Sequence, residues 1–170
     1  VIGSAGQMPP IVGTVTPVTN EQVTPNNTSI MTPALPIAAM PRPDLVTTLG
    51  QPVPSLQEGA SSNIQVTITN IGNANATGPL TFTSALPNGY TAPAIFSQNG
   101  WTCLTSGQTV SCTNPNSAAI APLANTTFTI PITPSVGTAG TTTPISGTVT
   151  PVLYENVTPN NTANVTPAVA

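Results

Sequence analysis

The feature that most constrains this chain is a phrase that it carries near both ends. GTVTPVTNEQVTPNNT at positions 13–28 returns as GTVTPVLYENVTPNNT at positions 147–162. The match extends without gaps from 1–36 to 135–170, and 21 of the 36 positions are identical. Self-similarity at a fixed spacing indicates a repeat architecture. The chain therefore holds about one and a quarter copies of a unit that recurs every 134 residues.

Between the two copies, apolar and polar residues alternate with a period of two. In NIQVTITN at 63–70, the apolar side chains Ile64, Val66 and Ile68 share one face. The same alternation returns at 80–83 and at 127–132. Alternation bounded by Gly, Pro and Asn turns predicts half-buried strands, and no window has a helical period. The expected fold class is all-β, an immunoglobulin-like sandwich with an N-terminal β segment that repeats the domain's last strands.

The repeat also divides the chain. ALPIAAMPRPD at 34–44 holds three prolines and predicts an extended linker, which we assign to 37–43. Residues 44–170 then form a complete sandwich whose last strands come from 135–170. Because an isolated strand pair is marginal in water, residues 1–36 are expected to complete a neighbouring or preceding domain.

The repeated positions are the candidate assembly residues. In the front copy, the predicted assembly segment comprises Gly13, Val15, Pro17, Val18, Val23, Asn26, Asn27 and Thr28. The matching positions in the domain's own last strands are Gly147, Val149, Pro151, Val152, Val157, Asn160, Asn161 and Thr162. We predict that the first set docks on another domain as the second set docks on its own.

Two cysteines give one predicted covalent constraint. In GWTCLTSGQTVSC at 100–112, Gly107-Gln108 suits a type II′ hairpin turn. That turn places Cys103 opposite Cys112 in a non-hydrogen-bonded pair, where Cα atoms lie about 4.5 Å apart. This distance permits a disulfide, which indicates an oxidising compartment. Two reduced core thiols are the alternative, and Trp101 is expected to pack beside Cys103.

Charge is almost absent. Charged residues make up 3% of the chain, against about 25% in an ordinary domain. With one cation, Arg42, the chain has no basic patch for nucleic acid, and no apolar run approaches the roughly 18 residues of a membrane span. Low charge favours association, so copies of the chain itself are the expected partner. The alternative is a secreted protein of merely biased composition.

The same composition argues against an enzyme. A chain without His or Lys lacks the common general bases and the partners that activate a serine nucleophile. Glu21 and Glu155 occupy equivalent repeat positions and are expected at a turn or interface, while Asp44 and Glu58 are not clustered in sequence. We predict no catalytic residue, metal or cofactor. Glycans are a further candidate partner, through the sequons at Asn26, Asn27, Asn75, Asn125, Asn156, Asn160 and Asn164.

Several motifs within 44–170 occur together in one protein family. They are the stretches 66–72, 76–79, 86–90, 100–103, 110–112, 122–124 and 160–162. In these motifs the chain resembles the bacterial conserved-repeat family catalogued as domain of unknown function eleven, over 44–170 and again, for the final strands, over 1–36. The resemblance implies an immunoglobulin-like sandwich that serves as a tandem module in large bacterial or archaeal surface proteins. It carries over no catalytic residue.

These features predict a structural repeat or subunit of an extracellular bacterial or archaeal filament, sheath or surface fibre. Such a fibre assembles through tandem domains in one polypeptide, or through β-strand complementation between subunits. The alternative is a cell-surface adhesin module that binds a glycan or protein. An adhesin would need a cluster of exposed aromatics or acids, for which Trp101, Tyr90 and Tyr154 are the aromatic candidates.

Overall fold

The computed structural model of the 170-residue chain describes residues 10–16, 18–20, 22, 27–31, 40–115, 119–155 and 157–170. The chain forms two compact units, Val1–Met40 and Pro41–Ala170. The first unit contains strands β1 (Ile11–Thr14) and β2 (Thr28–Met31), which pair antiparallel. We call this pair the front hairpin. Residues 37–39 of the predicted linker lie outside the described residues.

The second unit contains two antiparallel sheets. Its strands are β3 (Leu45–Leu49), β4 (Ser62–Asn70), β5 (Leu80–Ala85), β6 (Tyr90–Thr91), β7 (Ile95–Gln98), β8 (Trp101–Ser106), β9 (Thr109–Asn114), β10 (Asn125–Pro134), β11 (Ile145–Val149) and β12 (Thr162–Val165). One sheet has the order β3-β4-β10-β6 and the other has the order β12-β11-β5-β9-β8-β7. The described residues include one 3-10 helix, Pro159–Asn161, and no α-helix. The predicted all-β sandwich is confirmed.

The inward residues of the alternating strands form the core. Along β4 and β10, buried and more exposed residues alternate, because successive strand residues point to opposite faces of a sheet. Phe128 of β10 meets the edge of Phe82 at 5.3 Å between ring centroids and stacks on Trp101 at 4.5 Å. Since Phe82 and Trp101 belong to the six-stranded sheet, this aromatic group joins the two layers. Trp101 is fully buried, and its indole N–H donates to Thr126 Oγ1 at 3.1 Å, so its role is packing.

The cysteine hairpin is present with the predicted register. Cys103 of β8 lies directly opposite Cys112 of β9, and the two form a disulfide with Cα atoms 3.9 Å apart. Gly107 occupies the turn with φ at +58°, a conformation that an L side chain disfavours. Both cysteines are buried, so the cross-link lies in the core.

Candidate functional site

The domain's own copy of the repeat forms a hairpin at one end of the six-stranded sheet. Strands β11 and β12, which we call the rear hairpin, pair from Ile145↔Val165 to Thr148↔Thr162. Strand β11 also pairs with β5, from Ser146↔Ala85 to Val149↔Phe82. The rear hairpin therefore extends the sheet by two strands and adds its inward side chains to the core.

A glycine lets the rear hairpin approach the aromatic group closely. A Cβ built at Gly147 would overlap the ring of Phe82 and would lie 2.8 Å from its Cε2 atom. Phe82 cannot retreat freely, because it is fully buried and packs against Phe128. Close packing, and not a positive φ, is thus the reason for glycine at position 147.

Hydrogen bonds to acidic side chains join the β11–β12 connection of the rear hairpin to the start of β3. The N–H of Leu45 donates to Glu155 Oε1 at 2.8 Å, and the N–H of Val152 donates to Glu155 Oε2 at 2.8 Å. Asn160 Nδ2 donates to Asp44 Oδ1 at 2.7 Å. Leu45 is in the four-stranded sheet, so these bonds tie the hairpin to the opposite layer.

Glu58, the third acid of this unit, accepts hydrogen bonds from the start of the rear repeat copy, 135–170. The N–H groups of Gly137 and Ala139 donate to Glu58 Oε1 at 2.7 and 2.6 Å. Asp44, Glu58 and Glu155 are all the acids that the sequence has between 41 and 170. Each of them bonds across the boundary between 135–170 and the rest of the domain. We define the hairpin site as the edge of β5 together with Asp44, Leu45, Glu58 and Phe82.

The predicted positions of the rear copy lie together but differ in exposure. Val149 and Asn161 are buried, Val152 packs at the edge of the core, and Thr162 accepts or donates a hydroxyl bond with Thr148 at 2.8 Å. Pro151 and Val157 are exposed. Of the two buried members, Val149 is an inward residue of β11 and Asn161 ends the 3-10 helix.

The front hairpin repeats the rear hairpin in register. Its pairs run from Ile11↔Met31 to Thr14↔Thr28, and each is displaced by 134 positions from the corresponding pair of the rear hairpin. The N–H of Val15 donates to the carbonyl oxygen of Asn27 at 2.9 Å, which continues the pairing by one bond. The sequence repeat is therefore also a repeat of local structure.

The two hairpins differ in the exposure of their apolar side chains. Ile11, Val15 and Met31 are 53%, 70% and 61% exposed. Their counterparts Ile145, Val149 and Val165 are 1%, 0% and 6% exposed. The described part of the front hairpin thus presents to solvent the side chains that the rear hairpin buries.

Gly13 shows the same contrast. No atom of the described residues outside its own chain neighbours lies within 4 Å of a Cβ built there, and its φ is not in the left-handed region. Nothing within the front hairpin requires glycine at this position. Gly13 and Val18 with Asn27 and Thr28 lie in the described segment, whereas Pro17, Val23, Asn26 and Glu21 lie outside the described residues.

The aromatic candidates for a ligand site do not form one. Trp101 and Tyr90 are buried at 0% and 1% exposure, and only Tyr154 is exposed. Among the described residues, no three His, Cys, Asp or Glu side chains are grouped as metal ligands. Nor does that part of the chain contain a helix long and apolar enough to cross a membrane.

Sequence reasoning missed the contacts made by the acids. Glu155 and Leu45 are 110 positions apart, and Asp44 and Asn160 are 116 apart, so no local pattern links them. One signal was available: Glu155 and Asn160 are identical to their repeat counterparts Glu21 and Asn26. Asn70 was also missed. It is fully buried, accepts from Asp44 N–H at 3.1 Å and donates to the carbonyl oxygen of Ile120 at 2.8 Å.

Comparisons with known proteins identify the fold. No protein-family model matches the chain, and no curated protein matches it. Among solved structures, it is similar to a CARDB domain from Pyrococcus furiosus that was crystallised with di-metal ions, with 17% identity and a TM-score of 0.51, over 78% of this chain and 97% of that one. It is also similar to a non-cellulosomal cohesin from Archaeoglobus fulgidus, with 12% identity and a TM-score of 0.50, over 75% of this chain and 91% of that one. The predicted immunoglobulin-like sandwich is confirmed.

Proposed function

We propose that this chain is a structural repeat or subunit of an extracellular bacterial or archaeal filament, sheath or surface fibre, and a member of the conserved-repeat family that its motifs resemble. One observation carries the proposal: the front hairpin has the register of the rear hairpin, yet exposes the apolar side chains that the rear hairpin buries. Burial of a Val, Ile or Met side chain stabilises by roughly 1.5–3 kcal/mol. Burial of these side chains on a sandwich would therefore stabilise a docked front hairpin.

The outer face of the six-stranded sheet supports packing between modules. A cross-strand row of uncharged side chains runs across all six strands, through Ile95, Leu104, Ser111, Thr83, Thr148 and Thr162. Like charges on facing surfaces oppose association, and this row contains no charged side chain. The face is thus suited to contact with another uncharged surface.

The disulfide supports an extracellular location. Disulfides persist in oxidising compartments and are rare in the cytosol. Cys103 of β8 and Cys112 of β9 form a disulfide in the core of the domain. We place the module outside the cell or on its surface, with a structural and not a catalytic role.

Two arrangements deliver a front hairpin to a second domain. In a tandem array, the front hairpin completes the preceding domain of the same polypeptide. In a subunit polymer, it complements a separate chain. Boiling native material in detergent distinguishes them, because an array leaves a ladder or a very large polypeptide and a subunit polymer leaves a single band near the 17.1 kDa of this chain.

Electron microscopy of the chain at high concentration tests the proposal. We expect fibres with a regular axial repeat, and we expect the double variant Ile11→Ser, Val15→Ser to lose them, because it removes apolar side chains that docking would bury. The matched control is Val136→Ser, which removes an 86% exposed apolar side chain outside both hairpins and should leave the fibres intact. Dispersed wild-type monomers would contradict complementation between separate chains, and equal loss of fibres in the control would contradict the role of the front hairpin.

A further inference from the structure

We propose that the front hairpin docks in the hairpin site of a second copy of this domain, with Gly13 lying on the Phe82 ring of that copy. The inference rests on the proposed structural function and specifies the surface and the partner. In the copy that receives it, the front hairpin takes the place of the rear hairpin. Exchange of equivalent elements between copies is a low-cost route to association.

The glycine is the first argument. Gly147 is required by the Phe82 ring, which a Cβ would overlap. Gly13 stands at the same register position in the front hairpin, where a Cβ would meet no atom of the described residues within 4 Å. A glycine weakens a strand relative to a residue with a side chain. Docking against a Phe82 ring gives Gly13 the function that its own hairpin does not.

The buried set of the rear hairpin is the second argument. Ile145 and Val149 fit the core of the hairpin site, and the front hairpin has the same residue types at Ile11 and Val15. Met31 stands in place of Val165 and is likewise apolar. The exposed side chains of the front hairpin therefore match the site in chemistry and in order.

The polar bonds of the hairpin site are the third argument. Its carboxylates and its Leu45 N–H bond to Gly137, Ala139, Glu155 and Asn160 of the rear copy. The front copy has identical residues at the corresponding sequence positions, Gly3, Ala5, Glu21 and Asn26. The buried carboxylate of Asp44 and the N–H of Leu45 are costly to leave unpaired. A docked segment therefore needs a donor for the first, as Asn160 is, and an acceptor for the second, as Glu155 is.

The strand register defines a cross-linking test. Thr83 of β5 lies directly opposite Thr148, and Thr14 is the front counterpart of Thr148. Directly opposed strand residues lie within disulfide range. Docking as proposed brings Thr14 of one chain opposite Thr83 of another.

The experiment uses two full-length chains, a donor and an acceptor. Neither chain alone has cysteine substitutions at both Thr14 and Thr83, so the proposed cross-link requires both chains. The donor carries Thr14→Cys. The acceptor carries Thr83→Cys together with Gly13→Val and Gly147→Val, so that neither of its own hairpins fits its site. After refolding the mixture from urea under mild oxidation, we expect a dimer band on a non-reducing gel that exceeds the dimer bands of the donor alone and of the acceptor alone, and that reduction removes.

Two controls address specificity. Adding Gly13→Val to the donor should lower the yield of that band at least tenfold. Replacing Thr83→Cys in the acceptor by Thr102→Cys, an exposed position on β8 of the same sheet, should abolish it. A band that persists unchanged with the donor Gly13→Val, or that forms equally with Thr102→Cys, would overturn the proposal.

A second acceptor guards against failure to fold. It carries Thr83→Cys alone and keeps its rear hairpin, so exchange during refolding should give a weaker band with the same dependence on donor Gly13. Absence of the band with both acceptors overturns the docking site. Fibres in the microscope without this band would support the structural function and refute the docking site. A Gly13-dependent band without fibres would support the docking site and refute the structural function.

Discussion

At the scale of single residues, the carboxylates of Asp44, Glu58 and Glu155 accept hydrogen bonds from backbone N–H groups and from one side-chain amide at the edge of a repeated segment. Glu155 accepts two backbone bonds, Glu58 accepts two, and Asp44 accepts one from Asn160. Hydrogen bonds to charged groups contribute more than those between neutral groups. Three of the few charged side chains therefore lie at the boundary between 135–170 and the rest of the domain.

Replacing Glu155 should loosen that joint. Glu155→Ala removes the acceptor for the N–H groups of Leu45 and Val152. We expect a loss of about 2 kcal/mol in the free energy of unfolding, since a hydrogen bond to a charged group contributes about 1.5–3 kcal/mol. Urea unfolding followed by the fluorescence of Trp101, the single tryptophan, measures it. Glu155→Gln should recover part of the loss, and equal stability of all three chains would contradict the role of Glu155.

The two glycines should respond differently to alanine. Gly147→Ala places a Cβ in the Phe82 ring, and overpacking a core costs about 1–3 kcal/mol. Gly13→Ala meets no neighbour among the described residues and should leave the unfolding of the domain unchanged. The same urea titration measures both variants. Comparable destabilisation by the two substitutions would show that the contrast between the glycines is wrong.

At the scale of elements, the disulfide closes the β8–β9 hairpin locally. A short closed loop constrains the unfolded chain modestly, so the double variant Cys103→Ala, Cys112→Ala should lose about 2–3 kcal/mol. The fold should survive, because the Gly107 turn and the strand register remain. Thermal unfolding with and without a reducing agent checks this. The variant should be insensitive to the reductant, and the wild-type chain should approach the variant when reduced.

Elements could be predicted where one face of a strand is buried. Strands β4, β5 and β10 alternate because each has one side in the core, and the β8–β9 hairpin followed from its turn and cysteines. Strand β6 has two residues, and β7 has no buried residue, so neither gives a pattern. Strand β3 is not among the strands predicted from alternation, and its role depends on pairing with β4 and on Glu155. Such contacts arise from the tertiary fold and leave no local periodicity.

At the scale of the whole molecule, the distribution of charge bears on assembly. Arg42 and the acids at positions 44, 58 and 155 lie outside the strands, so the strands of the described part of the chain carry no ionised side chain. Salt screens interactions between exposed charges and leaves apolar burial intact. We expect association measured by sedimentation to change less than twofold between about 10 mM and 1 M sodium chloride. Dissociation in high salt would indicate that unidentified charge pairs hold the assembly.

The candidate assembly segment was predictable as a repeat, but the acceptor proposed for it was not. Identity between 1–36 and 135–170 indicated that the front copy resembles terminal strands of a domain. The Phe82 ring, the edge of β5 and Glu58 became recognisable as its counterpart only through the contacts of the rear hairpin. Complementarity between surfaces is a property of packing, which sequence spacing does not encode.

The front and rear hairpins also determine how docked modules would be oriented in a row. Each chain has a front hairpin, a rear hairpin and one hairpin site, so docking of neighbours in the proposed manner uses each front hairpin and each site once along a row. Every joint then points the same way, with a hairpin entering from one side only. Such a row is polar: its two ends present different surfaces, one an unshared hairpin and the other a filled sandwich. Growth by addition of modules would therefore involve a different surface at each end.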